Sequence, residues 1–169
     1  MEEPNKPRLY FFIKAPIVIV SIIVFVNDYN TLVEYLNLSG SEKGLLDYLK
    51  AGFNTTILRT SLIMLIPLIG VFINRKIGWI LILCFYYFWI ILFIYSTLST
   101  ELDRSGSIVI ACGVIIISLF FIGLMNSNEN RKLVYGIEKN EQLKLNIVSC
   151  IIAIIAILLI IFFNFTRTY

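Results

Sequence analysis

The sequence predicts an all-α fold: a polytopic transmembrane helical bundle with five spans, or four if the first is re-entrant or removed. Three observations carry this. Of 169 residues, 59% are hydrophobic and 15% charged, against about 45–50% and about 25% in soluble domains. The mean hydropathy is +0.87, more apolar surface than one small core can hide. The apolar residues also fall in long runs. A helix rising about 1.5 Å per residue needs roughly 20 residues to cross a hydrocarbon core about 30 Å thick. A backbone in lipid must satisfy its own hydrogen bonds, so such runs are helical. They are too long and too little alternating for barrel strands. A soluble enzyme, a disordered chain and a disulfide mini-protein do not fit.

The chain reads as a single membrane domain over residues 1–169, with spans at about 9–27, 53–73, 77–98, 107–125 and 146–165. The first carries Lys14 and Pro16 near its start. Lys14 is expected to snorkel to the headgroups, with Tyr10, Phe11 and Phe12 at the interface. A cleaved signal peptide is the rival reading, since Lys6 and Arg8 make a basic start. No small-x-small site follows Val26, and a retained span is favoured. Asn54, Thr55 or Thr56 is expected to cap the second span, and Pro67 inside it to kink it. Asn74, Arg75 and Lys76 make a short turn, so the second and third spans are antiparallel neighbours. The third span holds Trp79 and Tyr95 at opposite ends, fitting interface belts, with Phe85, Tyr86, Tyr87, Phe88 and Trp89 between them. The central aromatics read as helix packing, with a wet cavity as the alternative.

The fourth and fifth spans carry small residues. Gly106, Gly113 and Ser118 thin one side of the fourth. Ser149, Ala153 and Ala156 make a small-residue stripe on the fifth. Such stripes let backbones approach closely, within one bundle or between subunits of a homo-oligomer.

Two connections exceed simple turns. Residues 28–52 form the outer one. Tyr29, Leu32, Val33 and Leu36 share a helix face, Ser39 and Gly40 stop it, and Leu45, Leu46 and Leu49 line a second piece. Two short amphipathic helices are expected there, as interfacial cover, a lid or a docking surface. Residues 126–145 form the inner one. Arg131, Lys132, Lys139 and Lys144 suit contact with anionic lipid, an anionic ligand or a cytosolic protein. Tyr135 near Arg131 would suit stacking plus phosphate contact.

With the N-terminus in the cytoplasm, nine Lys and Arg residues lie inside and five outside. The positive-inside rule therefore supports five spans with the N-terminus in and the C-terminus out, and the Ile-, Phe-, Tyr- and Asn-rich composition with short loops suggests a bacterial source, hence the bacterial cytoplasmic membrane.

The chemistry is sparse. There is no histidine, hence no Ser-His-Asp or Cys-His unit. Cys84, Cys112 and Cys150 lie in separate apolar runs without metal-ligand spacing. No nucleotide-binding glycine motif occurs, and no run of like charges suggests sequence-specific nucleic-acid binding. No Asp or Glu falls within the five spans as drawn, which weighs against ion-coupled transport. We expect no enzyme activity and no cofactor. The reading that remains is a small oligomeric membrane effector or channel-like protein. It would perturb or sense the bilayer under a cytosolic partner, in a role such as anti-phage defence. The alternatives are an immunity protein binding a membrane-inserting toxin, or a scaffold subunit.

Overall fold

The computed structural model describes residues 9–39, 44–54, 57–99 and 104–165. Every regular element among them is helical: α1 (Leu9–Ser39), α2 (Leu45–Asn54), α3 (Arg59–Phe72), α4 (Lys76–Ser99), α5 (Arg104–Met125) and α6 (Lys139–Phe165). One π-helical turn, Glu129–Val134, joins α5 to α6. The stretches Phe11–Leu38, Lys76–Leu98, Ile108–Met125 and Lys139–Ile161 are long and apolar enough to cross a bilayer, and Thr60–Phe72 is a shorter apolar helix. The chain is a membrane-embedded helical bundle.

The helices alternate in direction. Lys14 of α1 meets Val71 and Asn74 at the end of α3, and Asp28 meets Ser61 at its start, so the two are antiparallel. α4 returns after a three-residue connection. Asn126 after α5 bonds Asn146 in α6, which turns that pair back on itself. One end of the bundle, here the proximal end, thus holds the starts of α1, α4 and α6 and the ends of α3 and α5.

α4 is the axis, packed against α3, α5 and α6. Its sequence is apolar all round, as a helix enclosed by others requires. Trp79, Ile82, Leu83, Phe85, Tyr86 and Phe88 are all buried. The aromatics pack as rings: Phe85 lies edge-on to Tyr86 at 5.3 Å, and Tyr86 stacks on Phe121 of α5 at 5.2 Å. The Tyr86 hydroxyl donates to the Ile13 carbonyl at 2.5 Å. Lipid tails are as apolar as these side chains, so contact density and hydrogen bonds hold the helices rather than water exclusion. Outward residues such as Val109, Ile116, Ile117 and Phe120 of α5 are exposed, as a lipid-facing surface should be.

The structure corrects several expectations. The first helix does not stop at Asn27 but continues to Ser39. Asp28 therefore sits inside a long apolar helix, and the segment 28–52 is mostly helix. Leu32 and Leu36 are buried against Ala51, with Tyr48, Ile57 and Leu58 packed beside them, so the two amphipathic pieces cover each other. The second span is broken: α2 ends at Asn54 and α3 starts at Arg59. The expected caps Thr55 and Thr56 lie outside the described residues. Leu58 takes the cap position of α3 without a side-chain bond, and Asp28 supplies the acceptor from across the helix pair. Pro67 lies buried within α3, which runs through it as one helix.

Candidate functional site

The polar chemistry of the bundle gathers at its proximal end. α3 is only 14 residues long, about 21 Å. The carbonyls of its last turn have no intrahelical partner and carry the negative end of its dipole. Lys14 answers both needs. Its ammonium donates to the Val71 carbonyl, and to Asn74 Oδ1 at 3.0 Å. The side chain is 8% exposed, so it caps α3 instead of snorkelling. At the distal end the relation is mirrored. The Ser61 backbone N–H and hydroxyl donate to Asp28 Oδ2 at 3.0 and 2.7 Å. One helix thus presents an acid to the start of α3 and a base to its end.

α3 and α4 meet through glycine. A Cβ on Gly78 would lie 1.8 Å from the Ile73 carbonyl oxygen and 2.8 Å from that of Gly70. The connection closes only because both positions lack a side chain.

Amides join α5, α6 and α4. Asn146 Nδ2 donates to Asn126 Oδ1 at 2.8 Å, and Asn126 Nδ2 returns a longer bond to Asn146 Oδ1 at 3.4 Å. Gln142 Nε2 donates to Asn126 Oδ1 at 2.8 Å, and the Tyr87 hydroxyl reaches Asn146 Oδ1 at 3.2 Å. Nearby, Lys76 pairs with Glu141 at 2.5 Å on the surface.

The π turn completes this end. Gly136, at φ 64°, takes the left-handed conformation that only glycine adopts without cost. The Gly136 N–H donates to the Lys132 carbonyl at 3.2 Å, and the Ile137 N–H to the Arg131 carbonyl at 3.0 Å. This tight closure turns Tyr135 and Ile137 into the core beside Trp79 and Met125. It also turns Arg131 inward, to 4% exposure. Arg131 Nη2 donates to Asn128 Oδ1 at 2.6 Å. Its Nε and Nη1 are buried with no acceptor among the described residues, as are Trp79 Nε1 and, on the acceptor side, Asn130 Oδ1.

The residues singled out from sequence separate accordingly. Arg131 and Tyr135 are buried, whereas Lys132, Lys139 and Lys144 are exposed. Tyr135 offers no open ring for stacking, because the glycine turn folds it into the core. Trp79 is fully buried rather than at a lipid interface, because the first turn of α4 lies under Met125 and Ile137. Ser149 and Ala153 are fully buried, and Ala153 packs with Cys84 and Phe88 of α4, flanked by Ala156. Ser118 is buried, whereas Gly113 faces open space. Gly106 belongs to the first turn of α5. Among the described residues no three His, Cys, Asp or Glu side chains gather.

The sequence reading missed the glycine contact, the Asp28 cap and the amide cluster. The amides had a signal: Asn126, Gln142 and Asn146 are three uncharged polar residues flanking two apolar runs. No family model, curated protein or solved structure matches the chain.

Proposed function

We propose that the chain is a non-catalytic effector of the bacterial cytoplasmic membrane, with the proximal end in the cytoplasm. Its control point is Arg131, engaged by an anionic ligand or an acidic segment of a cytosolic partner. One observation carries the reading: a guanidinium 4% exposed with two N–H-bearing nitrogens lacking acceptors. An unpaired buried charge is costly, and an incoming carboxylate or phosphate lowers that cost by placing its negative charge beside the guanidinium and accepting from one of the two free N–H groups. Exposed Lys132, Lys139 and Lys144 outnumber exposed Glu129 and Glu138 at this end, a small positive surplus that favours an approaching anion. Seating an anion fixes the π turn. The Asn126–Asn146 pair passes that constraint to α5 and α6, and Tyr87 passes it to α4.

The test is overexpression with a membrane-potential dye, comparing the native chain with Arg131→Gln at equal membrane levels. Depolarisation by the native chain that is lost or unregulated in the variant is expected. An identical response from both would remove Arg131 as the control point.

Because Ser149 and Ala153 are buried, self-association falls to other faces. We place it on the outward side of α5, where Cys112 is exposed. Oxidative cross-linking in native membranes should give a dimer that Cys112→Ser abolishes. A second reading, an immunity-type protein that intercepts a membrane-inserting toxin, rests on exposed Tyr29, Leu38 and Leu46 at the distal end. Harmless expression together with protection against a co-expressed toxin would favour it.

A further inference from the structure

Where α1 and α3 run side by side, the lipid-facing surface opens into a groove of about 550 Å³. This lies within the roughly 300–1,000 Å³ of small-molecule sites. Ala15, Val18 and Ile19 wall it from α1, and Val71 from α3; Lys14 and Asn74 sit at its polar end. Phe11 and Phe72, 68% and 78% exposed, flank the opening. The groove exists because of two neighbours on α1. Lys14 turns inward to cap α3, and Ala15 beside it is too small to fill the gap.

We propose that this groove holds one anionic phospholipid, with one of its two acyl chains along α1 and α3 and its phosphate at the proximal rim. The walls are apolar and open sideways to the hydrocarbon, which suits a chain rather than a soluble ligand. The rim is basic. The Lys14 ammonium exceeds the roughly half charge of the helix end it caps, and exposed Arg75 follows Asn74 directly. A phosphate without a neighbouring quaternary amine fits that field better than a zwitterionic headgroup does. The site draws on the membrane location and not on Arg131, so failure of either proposal leaves the other standing.

The experiment is native mass spectrometry on the full chain released from nanodiscs of equal phosphatidylglycerol and phosphatidylcholine. A photoactivatable phosphatidylglycerol maps the contact. One lipid should be retained, with phosphatidylglycerol favoured roughly tenfold or more, as two basic groups near a membrane surface allow. Cross-links should fall in residues 11–19 and 71–74. Ala15→Phe fills the groove and should remove the retained lipid. Arg75→Gln leaves the α3 cap in place and should bring the two lipids toward equal retention. Equal retention by the native chain, an unchanged Ala15→Phe, cross-links elsewhere, or displacement by inorganic phosphate alone would each overturn the proposal.

Discussion

Replacing Gly78 by alanine adds one methyl group at the tightest backbone contact described in the bundle. The new Cβ would sit 1.8 Å from the Ile73 carbonyl oxygen. Reaching even 3.0 Å requires the start of α4 and the end of α3 to part by about 1.2 Å, and overpacking of this kind costs about 1–3 kcal/mol. The obstructing atom is backbone, so no side chain can rotate away and the upper part of that range applies. Alanine is favoured over glycine in a helix by about 1 kcal/mol, which leaves a net loss of about 2 kcal/mol. At Gly113 and Gly123 the same substitution meets nothing within 4 Å, so only the helix-propensity gain remains. The sign therefore reverses between positions. Thermal unfolding in one detergent, followed by tryptophan fluorescence, reads this out, because Trp79 adjoins Gly78. With roughly 2–4 °C per kcal/mol for a chain of this size, Gly78→Ala should melt about 4–8 °C lower and Gly113→Ala no lower than the native chain. A Gly78→Ala protein as stable as Gly113→Ala would refute the close-contact argument.

Other expectations follow from the polar contacts. Asn126→Leu and Asn146→Leu should each destabilise by about 1 kcal/mol, and the double variant by less than their sum, because each single change strands the other amide; additive melting shifts would deny the pair. Gly136→Val puts a β-branched residue at φ 64° and should cost about 1–3 kcal/mol through strain alone, whereas Gly136→Asn should cost much less; equal melting points would show that the turn relaxes. Lys76→Ala removes an exposed ion pair and should leave the melting point nearly unchanged, with whatever difference appears at low salt fading as salt is raised; a large, salt-independent fall would show that the pair is structural.

The fold class was legible because lipid imposes one crude rule, long apolar runs, that composition alone reveals. The end of α1 was not. The polar stretch Asn27, Asp28, Tyr29, Asn30 reads as a loop, yet the helix continues because Leu32 and Leu36 find a partner surface on α2, the next helix in the chain, a packing contact that the local residue types do not show. Lys14 was misplaced for a related reason. Snorkelling is the default for a lysine near a helix end, and only the tertiary approach of Val71 and Asn74 offers it a better partner. Arg131 was found as a candidate through charge. Its burial was not foreseen, because that burial follows from one left-handed glycine five residues on. Tyr135 failed as a stacking platform by the same turn. The small-residue stripe on α6 had two equally physical readings. Which side of α6 faces α4 is a packing outcome that spacing alone does not determine.

The shortness of α3 is the feature that most needs the rest of the molecule. At about 21 Å it falls roughly 9 Å short of an average hydrocarbon core, so its ends would expose unpaired amides and carbonyls to lipid. α1 resolves this with two side chains 14 positions apart, Asp28 at one end and Lys14 at the other. Each meets the helix pole of opposite sign, and each is shielded by protein. A helix too short to cross alone becomes tolerable as the second member of a capped pair. Asp28→Asn keeps an acceptor for Ser61 and loses only the charge, so its cost should stay near 1 kcal/mol. Asp28→Ala leaves the Ser61 N–H and hydroxyl unsatisfied in a buried site and should cost about 2 kcal/mol or more. Ser61→Ala in that background should restore part of the loss by removing one stranded group. Melting points ranked native, Asn, Ala/Ala, Ala would support the capped pair. An alanine variant equal to the asparagine variant would mean that water already reaches the start of α3 and the cap is dispensable.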